Sequence, residues 1–587
     1  MVPRWNCLSV IVVSVLSCSS LIAQQKDETP TNLRDQAAES FVTLLAQGAF
    51  AKATNDFDAT MLEVLPADDL KKTWEKVLED AGAYKRQVGI RRENSGKYEI
   101  VTVTCEFAKA KLDARVVFDQ DGKISGLFFR PAKPTGTEEI WEGSLKVGFT
   151  EIRLAFHLFK QQDGNYAGTM DSRDQGATGI ILDGVSVNED VVRLELKSAK
   201  MVFEGKLGKD RQELTGHLKQ FGLTLPLTLK RVAKAREPKR PQTPQRPFLY
   251  EEREVTYENK KGGVKLAGTL TLPKTQGPFP AVILITGSGA QDRDETILGH
   301  KPFLVLADYL TRRGIAALRV DDRGVGGSTG NVQDATSDDF ADDVRAGVEF
   351  LKGLKEIDVA RIGLVGHSEG GNIAPLVASQ SQDIAFIVLL AGCGLPGEEI
   401  LYLQGAALLK VAGADAATLA RQKELQERMF AVLHEEKDKA AAETKIRAAL
   451  KDLSSKPGQG DEKQMLEMLP LLDGQIQMVL TPWFRHFLDY DPRPALRKVT
   501  CPVLALNGEK DLQVDAAANL KAIEAALKEG GNRHVTIQTL PNLNHLFQSC
   551  KTGSLSEYGA IEETFAPAAL ETIAKWILER TAGQSKP

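Results

Sequence analysis

From Phe248 to the C-terminus, short uninterrupted apolar runs alternate with longer stretches of helical periodicity. That alternation constrains the 587-residue chain more than any other feature. The runs are 264–272, 281–286 (AVILIT), 315–321 (IAALRVD), 361–366 (RIGLVG), 385–391 (AFIVLLA), 503–507 (VLALN) and 534–540. Apolar residues at consecutive positions describe a strand buried on both faces, the condition of a parallel sheet covered by helices. Helical patterns at 301–313, 337–354, 370–380, 515–529 and 566–580 supply the cover. The expected fold of residues 248–587 is therefore α/β, a doubly wound and mostly parallel sheet. Between 396 and 495 the alternation stops and the pattern is helical, which predicts a helical cap inserted above the sheet.

One motif carries chemistry. Gly366-His367-Ser368-Glu369-Gly370 follows the run 361–366 and opens a helical pattern. A G-x-S-x-G between strand and helix raises its serine on a strained turn, where strand and helix approach so closely that the flanking positions must be small. Ser368 is the expected nucleophile. Serine is a weak nucleophile without a base. In this strand–turn–helix setting the partners follow in the order serine, acid, histidine. Four histidines follow Ser368. His434 and His486 fall in the cap and His534 begins the last strand, at the wrong sheet edge. His545 lies just beyond that strand and is the expected base. Asp511, past the run 503–507, is the expected acid, with Asp515 and Glu509 as alternatives and Asp515 better suited to capping the next helix. An oxyanion needs two aligned N–H donors. They are assigned to Glu369, directly after the nucleophile, and to Ser288 in the loop Thr286-Gly287-Ser288-Gly289, to within one residue.

Other clusters are less specific. The charged loops 291–295 and 321–328 read as braces around the site rather than as contacts to a polar substrate. The glycines 324, 326 and 327 lack the spacing of a dinucleotide fingerprint. The cap carries Met429, Met465, Met468 and Met478, with Trp483, Phe484 and Phe487 close together. These residues either line an apolar pocket or pack the cap's own core.

Four segments precede the α/β unit. Residues 8–16 are a nine-residue apolar stretch after Arg4, the length of a signal-peptide core and too short to span a bilayer. Residues 1–23 are read as a signal peptide cleaved after Ala23, with lipidation at Cys18 as the rival, so the mature protein is expected to be periplasmic or extracellular. Residues 27–132 show two helical patterns and then four alternating runs, a small α+β domain. Residues 137–231 hold eight strand-like runs, one of them 178–187, with Asp163-Gly164 and Asp183-Gly184 among the turn signals, and are expected to form an antiparallel barrel or sandwich acting as a spacer or docking module. Residues 232–247, with Pro238, Pro241, Pro244 and Pro247, read as an extended, solvated linker.

Composition excludes several classes. Lys plus Arg number 74 and Asp plus Glu 79, a net charge of −5 that argues against nucleic-acid binding through phosphate neutralisation. Six cysteines in this length do not make a disulfide scaffold, and neither a CxxC pair nor an HExxH supports zinc. Cys393 and Cys501 fall at opposite edges of the expected sheet, so free thiols are expected. Beyond the N-terminus no 18-residue apolar run exists, so no transmembrane span is expected.

Taken together, ITGSGAQDRDE (285–295), DDRGVGGS (321–328), GHSEGG (366–371), NGEKDLQV (507–514) and LNHLF (543–547) resemble the α/β-hydrolases, and within them the EstD-type carboxylesterases and, more distantly, the serine aminopeptidase group. The resemblance covers residues 250–587. It implies hydrolysis of a small-molecule ester through an acyl-enzyme, with Ser368, Asp511 and His545 as triad, and no metal or organic cofactor. Many relatives carry His-Gly where this chain has Thr286-Gly287. Residues 27–132 are similar to a small cystatin- or NTF2-like domain of unknown function that precedes some bacterial hydrolases. The alternative reading is a serine peptidase of aminopeptidase type, for which cap carboxylates such as Glu427, Glu435 and Glu443 would have to grip an amino terminus. A binding protein with an inert hydrolase domain is the third.

Overall fold

The computed structural model describes residues 33–454 and 474–582, apart from short stretches at 96–97, 109–110, 133, 135, 148–149, 162–163, 173–176, 221–222 and 236–238. The leader residues 1–23 with Cys18, the linker residue Pro238, and Met465 and Met468 lie outside the described residues.

The first unit is a four-stranded antiparallel sheet, β1 (Tyr84–Ser95), β2 (Tyr98–Phe107), β3 (Lys111–Phe118) and β4 (Ile124–Pro131), in sequential order. Helices Leu33–Ala46 and Ala67–Ala81 share its core, where Trp74 sits among Tyr84, Phe107 and Phe129.

The second unit has nine strands: β5 (Thr137–Val147), β6 (Thr150–Lys160), β7 (Tyr166–Ser172), β8 (Ala177–Ile181), β9 (Gly184–Asn188), β10 (Val191–Leu196), β11 (Met201–Leu207), β12 (Glu213–Gln220) and β13 (Leu223–Val232). Their order is β8-β7-β6-β5-β13-β12-β11-β10-β9. The run expected at 178–187 is two strands, because the chain changes edge at Leu182-Asp183. The Leu182 amide donates to Gly168 on the β7 side at 2.9 Å, and the Asp183 amide to Glu195 on the β10 side at 2.8 Å. The two edges of the sheet meet there, so the unit closes towards a barrel.

The third sheet contains β14 (Glu251–Asn259), β15 (Val264–Leu272), β16 (Phe279–Ile285), β17 (Ala316–Val320), β18 (Ile357–His367), β19 (Phe386–Leu390), β20 (Val503–Gly508) and β21 (Val535–Leu540), in the order β14-β15-β17-β16-β18-β19-β20-β21. β14, β15 and β17 pair antiparallel, and every pair from β17 across to β21 is parallel. The apolar runs split by parity. Ala281, Ile283, Ile285, Leu364, Ile387 and Leu389 face helices Ser337–Lys352, Gly370–Ala378 and Ala516–Glu529. Val282, Leu284, Val365, Val388, Leu390, Leu504 and Leu506 face helices Pro302–Thr311 and Pro567–Thr581. A period of two with apolar residues at both parities needs cover on both faces, and the helices supply it.

Between β19 and β20 the chain leaves the sheet as helices Gly397–Val411, Ala416–Glu435, Lys439–Ser454 and Pro482–Asp489. Their core is apolar, built on Leu425, Met429, Phe430, Leu433, Ile446, Leu450 and Phe484. No helix among the described residues is long and apolar enough to cross a membrane. Cys105, Cys393, Cys501 and Cys550 are free thiols.

The expected solvated linker is not what forms. Arg240 and Gln242 hydrogen-bond to backbone groups at 298 and 559–565 of the third unit, so this part of the linker is docked. Prolines set the extended conformation, but side-chain donors and acceptors decide whether an extended segment stays in water.

Candidate active site

β18 ends at His367, and the next residue, Ser368, takes φ = 53°. A left-handed conformation costs a non-glycine residue about 1–2 kcal/mol, so the surrounding packing must hold it there. The packing is unusually close. A Cβ on Gly366 would lie 1.9 Å from the Gly370 carbonyl oxygen, and one on Gly370 would lie 2.2 Å from that of Ile285. The Ser368 amide donates to Leu390 of β19 at 2.8 Å. Helix Gly370–Ala378 starts immediately after, with the Gly371 amide on the Ser368 carbonyl at 2.9 Å.

His545 enters from the loop after β21. Its Nδ1 is 2.8 Å from Oδ2 of Asp511, and both side chains are buried. Asp511 Oδ1 accepts the amides of Gln513 at 2.8 Å and Val514 at 2.9 Å. Those bonds fix the carboxylate and leave its second oxygen to the imidazole, so Nδ1 carries the proton and Nε2 is left as acceptor. The alternatives are engaged elsewhere. Asp515 caps helix Ala516–Glu529 through the Ala518 amide at 2.8 Å, and Glu509 accepts the Asn542 amide at 3.0 Å on the surface. His434 lies between Glu398 and Asp489 on the cap, His486 stacks on Tyr490, and His534 precedes β21 at the opposite sheet edge.

The loop after β16 is held by buried polar groups. The Thr286 hydroxyl donates to Asp322 at 2.7 Å, and the Gln291 amide donates to the other oxygen of Asp322 at 2.9 Å. The Gly287 amide donates to Glu295 at 2.7 Å and is thus committed. Among the described residues the Ser288 and Glu369 amides have no protein acceptor, and both residues line the cavity at Ser368. The charged loops act as braces. Arg293 clamps Asp321 at 2.7 Å and reaches Glu254 at 2.6 Å, while Asp321 also takes the Gly327 amide at 3.0 Å.

The histidine inside the motif is a second constellation that the sequence reading passed over. His367 is buried, with Nδ1 2.9 Å from Glu295 and Nε2 3.0 Å from the carbonyl of His545. Both ring nitrogens face acceptors, so the geometry is that of an imidazolium donating twice. Burial alone would lower its pKa. The Glu295 carboxylate and the His545 carbonyl outweigh burial and raise it above the ordinary histidine value. Glu295 thereby links the Gly287 amide to the backbone that carries His545. Only the histidine beside the nucleophile hints at this in sequence, since Glu295 lies 72 residues away.

Ser368, His545, Ser288 and Glu369 open onto one cavity of about 130 Å³. Trp483, Phe484 and Phe487 of the cap form one of its walls, with Trp483 and Phe487 stacked at 5.6 Å. Met429 packs inside the cap core instead. The Glu369 carboxyl is buried beneath Trp483, whose indole Nε1–H is shared between both oxygens at 2.8 and 2.9 Å, and Ser337 adds a second donor at 2.6 Å. Burial raises its pKa, and the bonds from Ser337, Trp483 and Ser288 offset part of that. Glu427, Glu435 and Glu443 do not line the cavity. No group of three His, Cys, Asp or Glu that could hold a metal occurs among the described residues.

Residues 262–539 match the family model described as X-Pro dipeptidyl-peptidase (S15 family), and residues 38–127 match a family of unknown function, DUF3887. Esterase EstD of Thermotoga maritima is 22% identical over 551 residues, 93% of this chain and 95% of that protein. The uncharacterized protein PA2218 of Pseudomonas aeruginosa is 32% identical over 127 residues, 21% of this chain and 32% of its own length. The crystal structure of PA2218 aligns over 60% of this chain and 99% of its own, with 16% identity and a TM-score of 0.36. The chain is therefore similar to an esterase over nearly its whole length, and to the S15 family over residues 262–539, which include Ser368 and Asp511 but not His545.

Proposed function

We propose that the protein is an exported serine hydrolase that cleaves carboxylic esters of small molecules through an acyl-enzyme. The observation that carries the reading is Ser368, held at positive φ and sharing a cavity with a buried His545 whose Nδ1 rests on Asp511. In this mechanism His545 Nε2 takes the Ser368 proton as Oγ attacks the ester carbonyl. The carbonyl oxygen becomes an oxyanion between the Ser288 and Glu369 amides. The imidazolium, steadied by Asp511, then gives its proton to the leaving alkoxide, and the acyl group stays on Ser368. Water repeats the sequence and releases the acid. Losing one oxyanion donor in such a site costs about 2.7–4 kcal/mol of transition-state stabilisation.

Similarity to esterase EstD favours esters. The S15 match favours a second reading, cleavage of a peptide near its amino terminus. That reaction calls for a carboxylate to receive the ammonium group. Glu427, Glu435 and Glu443 do not line the cavity, and the two carboxylates that do are occupied, Glu369 by Trp483 and Ser337 and Glu295 by the Gly287 amide and His367. Export is supported by the leader-like residues 8–16 alone. The test is fluorophosphonate labelling of the purified protein, followed by p-nitrophenyl ester and aminoacyl-anilide panels. Labelling at Ser368 with turnover of esters is expected. Turnover of anilides alone would replace the ester reading with the peptidase one.

A further inference from the structure

The cavity wall opposite the cap is formed by Ile297, Leu546, Leu555 and Tyr558. These side chains belong to a small apolar cluster of their own, with Leu298, separate from the large cores on either face of the sheet. Polar contacts from the same unit tie the loop, among them Gln513 Nε2 to the Tyr558 hydroxyl at 3.2 Å and Gln548 Nε2 to the Glu563 carbonyl at 3.1 Å. The linker adds a further set that joins the 298 and 559–565 segments to each other. Arg240 spreads its guanidinium over carbonyls of both segments: Nη2 donates to Leu298 at 2.8 Å and to Gly559 at 2.9 Å, and Nη1 donates to Ile561 at 2.9 Å. Two residues on, the Gln242 amide makes three hydrogen bonds. Its Nε2 donates to the Phe565 carbonyl at 2.7 Å, and its oxygen accepts the Thr564 amide at 2.6 Å and the Phe565 amide at 3.0 Å. Thr564 passes the support on to His300 Nδ1 at 2.9 Å, and His300 Nε2 donates to the Tyr558 carbonyl at 3.0 Å. Burial, and then the charge of Arg153 on β6, lower the Arg240 guanidinium to about 10, so it remains a cation at neutral pH. β6 itself packs against helix Leu555–Tyr558.

We propose that Arg240 and Gln242 form a strap that positions the wall of the substrate cavity outside the cap, so that the linker preceding the third sheet takes part in choosing the acyl group. The inference rests on the ester-hydrolase reading. These are positioning residues, since neither lines the cavity. A fixed wall of Leu555 and Tyr558 contacts a long acyl chain and leaves an acetyl group untouched.

The experiment uses the full chain, with p-nitrophenyl acetate and p-nitrophenyl hexanoate as probes and the variants Arg240→Ala, Arg240→Lys and Gln242→Ala. The hexanoate-to-acetate ratio of kcat/KM is expected to fall at least about fivefold, mainly through the KM for hexanoate, because apolar contact in a pocket is worth a factor of about ten or more per methylene. Hydrogen exchange of the 555–565 amides is expected to quicken in the same variants. An unchanged ratio with a lowered Tm, or an equal loss for both esters, would overturn the strap. If Arg240→Ala yields no soluble protein, Arg240→Lys decides, because lysine keeps the charge but cannot span three carbonyls. If the wild-type protein turns over neither ester, the ester reading falls. The exchange measurement then still judges the strap, and unaltered protection of 555–565 in Arg240→Lys overturns it.

Discussion

The cavity lies between two regions held by different forces. The sheet edge is fixed by buried polar groups: Asp511 on His545, Glu295 between Gly287 and His367, and Asp322 on Thr286 and Gln291. The cap is held by an apolar core of Leu, Ile, Phe and Met side chains. Hydrogen bonds are directional and fix an atom to within a few tenths of an ångström, which the chemistry of an acyl transfer requires. Apolar packing is non-directional and tolerates changes of side chain that conserve volume, which leaves a pocket free to vary in shape. The Trp483–Glu369 bond joins the two regions beside the nucleophile. On the proposed reading the difference assigns rate to the edge and selectivity to the cavity walls, the cap's among them, and each assignment can be broken.

The largest effect belongs to the proposed nucleophile. Ser368→Ala is expected to fold with an unchanged circular dichroism spectrum and to lose at least about three orders of magnitude in kcat. Turnover near the wild-type rate would remove the edge from the chemistry altogether. Next is Glu295→Gln, which keeps the shape of the brace and removes the counter-charge of His367. A drop of about 10²-fold in kcat with a smaller change in KM is expected, comparable to the loss of one oxyanion donor. An equal rise in KM would place Glu295 in substrate binding instead.

The cap should respond differently. Phe487→Ala is expected to shift the acetyl-to-hexanoyl ratio of kcat/KM by about tenfold, the worth of a methylene contact or more. A lowered Tm with an unaltered ratio would make Phe487 part of the cap core only. The smallest effect is a pH dependence of stability. The His367 pKa is raised on folding, so its contribution is complete below the ordinary histidine value of 6.5 and is lost as pH rises through the higher folded value. The Tm gap between wild type and His367→Asn, followed from about pH 6 to 9, is expected to narrow with rising pH. A constant gap would mean that His367 contributes packing rather than charge.

Much of this was legible in one dimension. Strands such as Phe386–Leu390 and Val503–Gly508 announce themselves because burial on both faces leaves no polar residue at 386–390 or at 503–506. Gly366, Ser368 and Gly370 are legible because the close approach at the turn excludes any Cβ at the two glycines. Asp511 and His545 follow from the order of partners and the sheet edge. The run 178–187 reads as one strand although Asp183-Gly184 is a turn signal inside it; a local turn signal does not say that the chain passes there from one edge of the second unit to the other.

Sequence alone thus determined the alternating sheet, the strained turn and the three residues brought to its edge, because local sterics and the side-chain period of two act on neighbours in the chain. Tertiary structure alone decided that Arg240 and Gln242 dock on 298 and 559–565, and that His367 bridges Glu295 to the backbone of His545. Most acceptors in those contacts are main-chain carbonyls. Every residue carries one, so no residue type records which carbonyl a distant donor will find until the fold brings the two together.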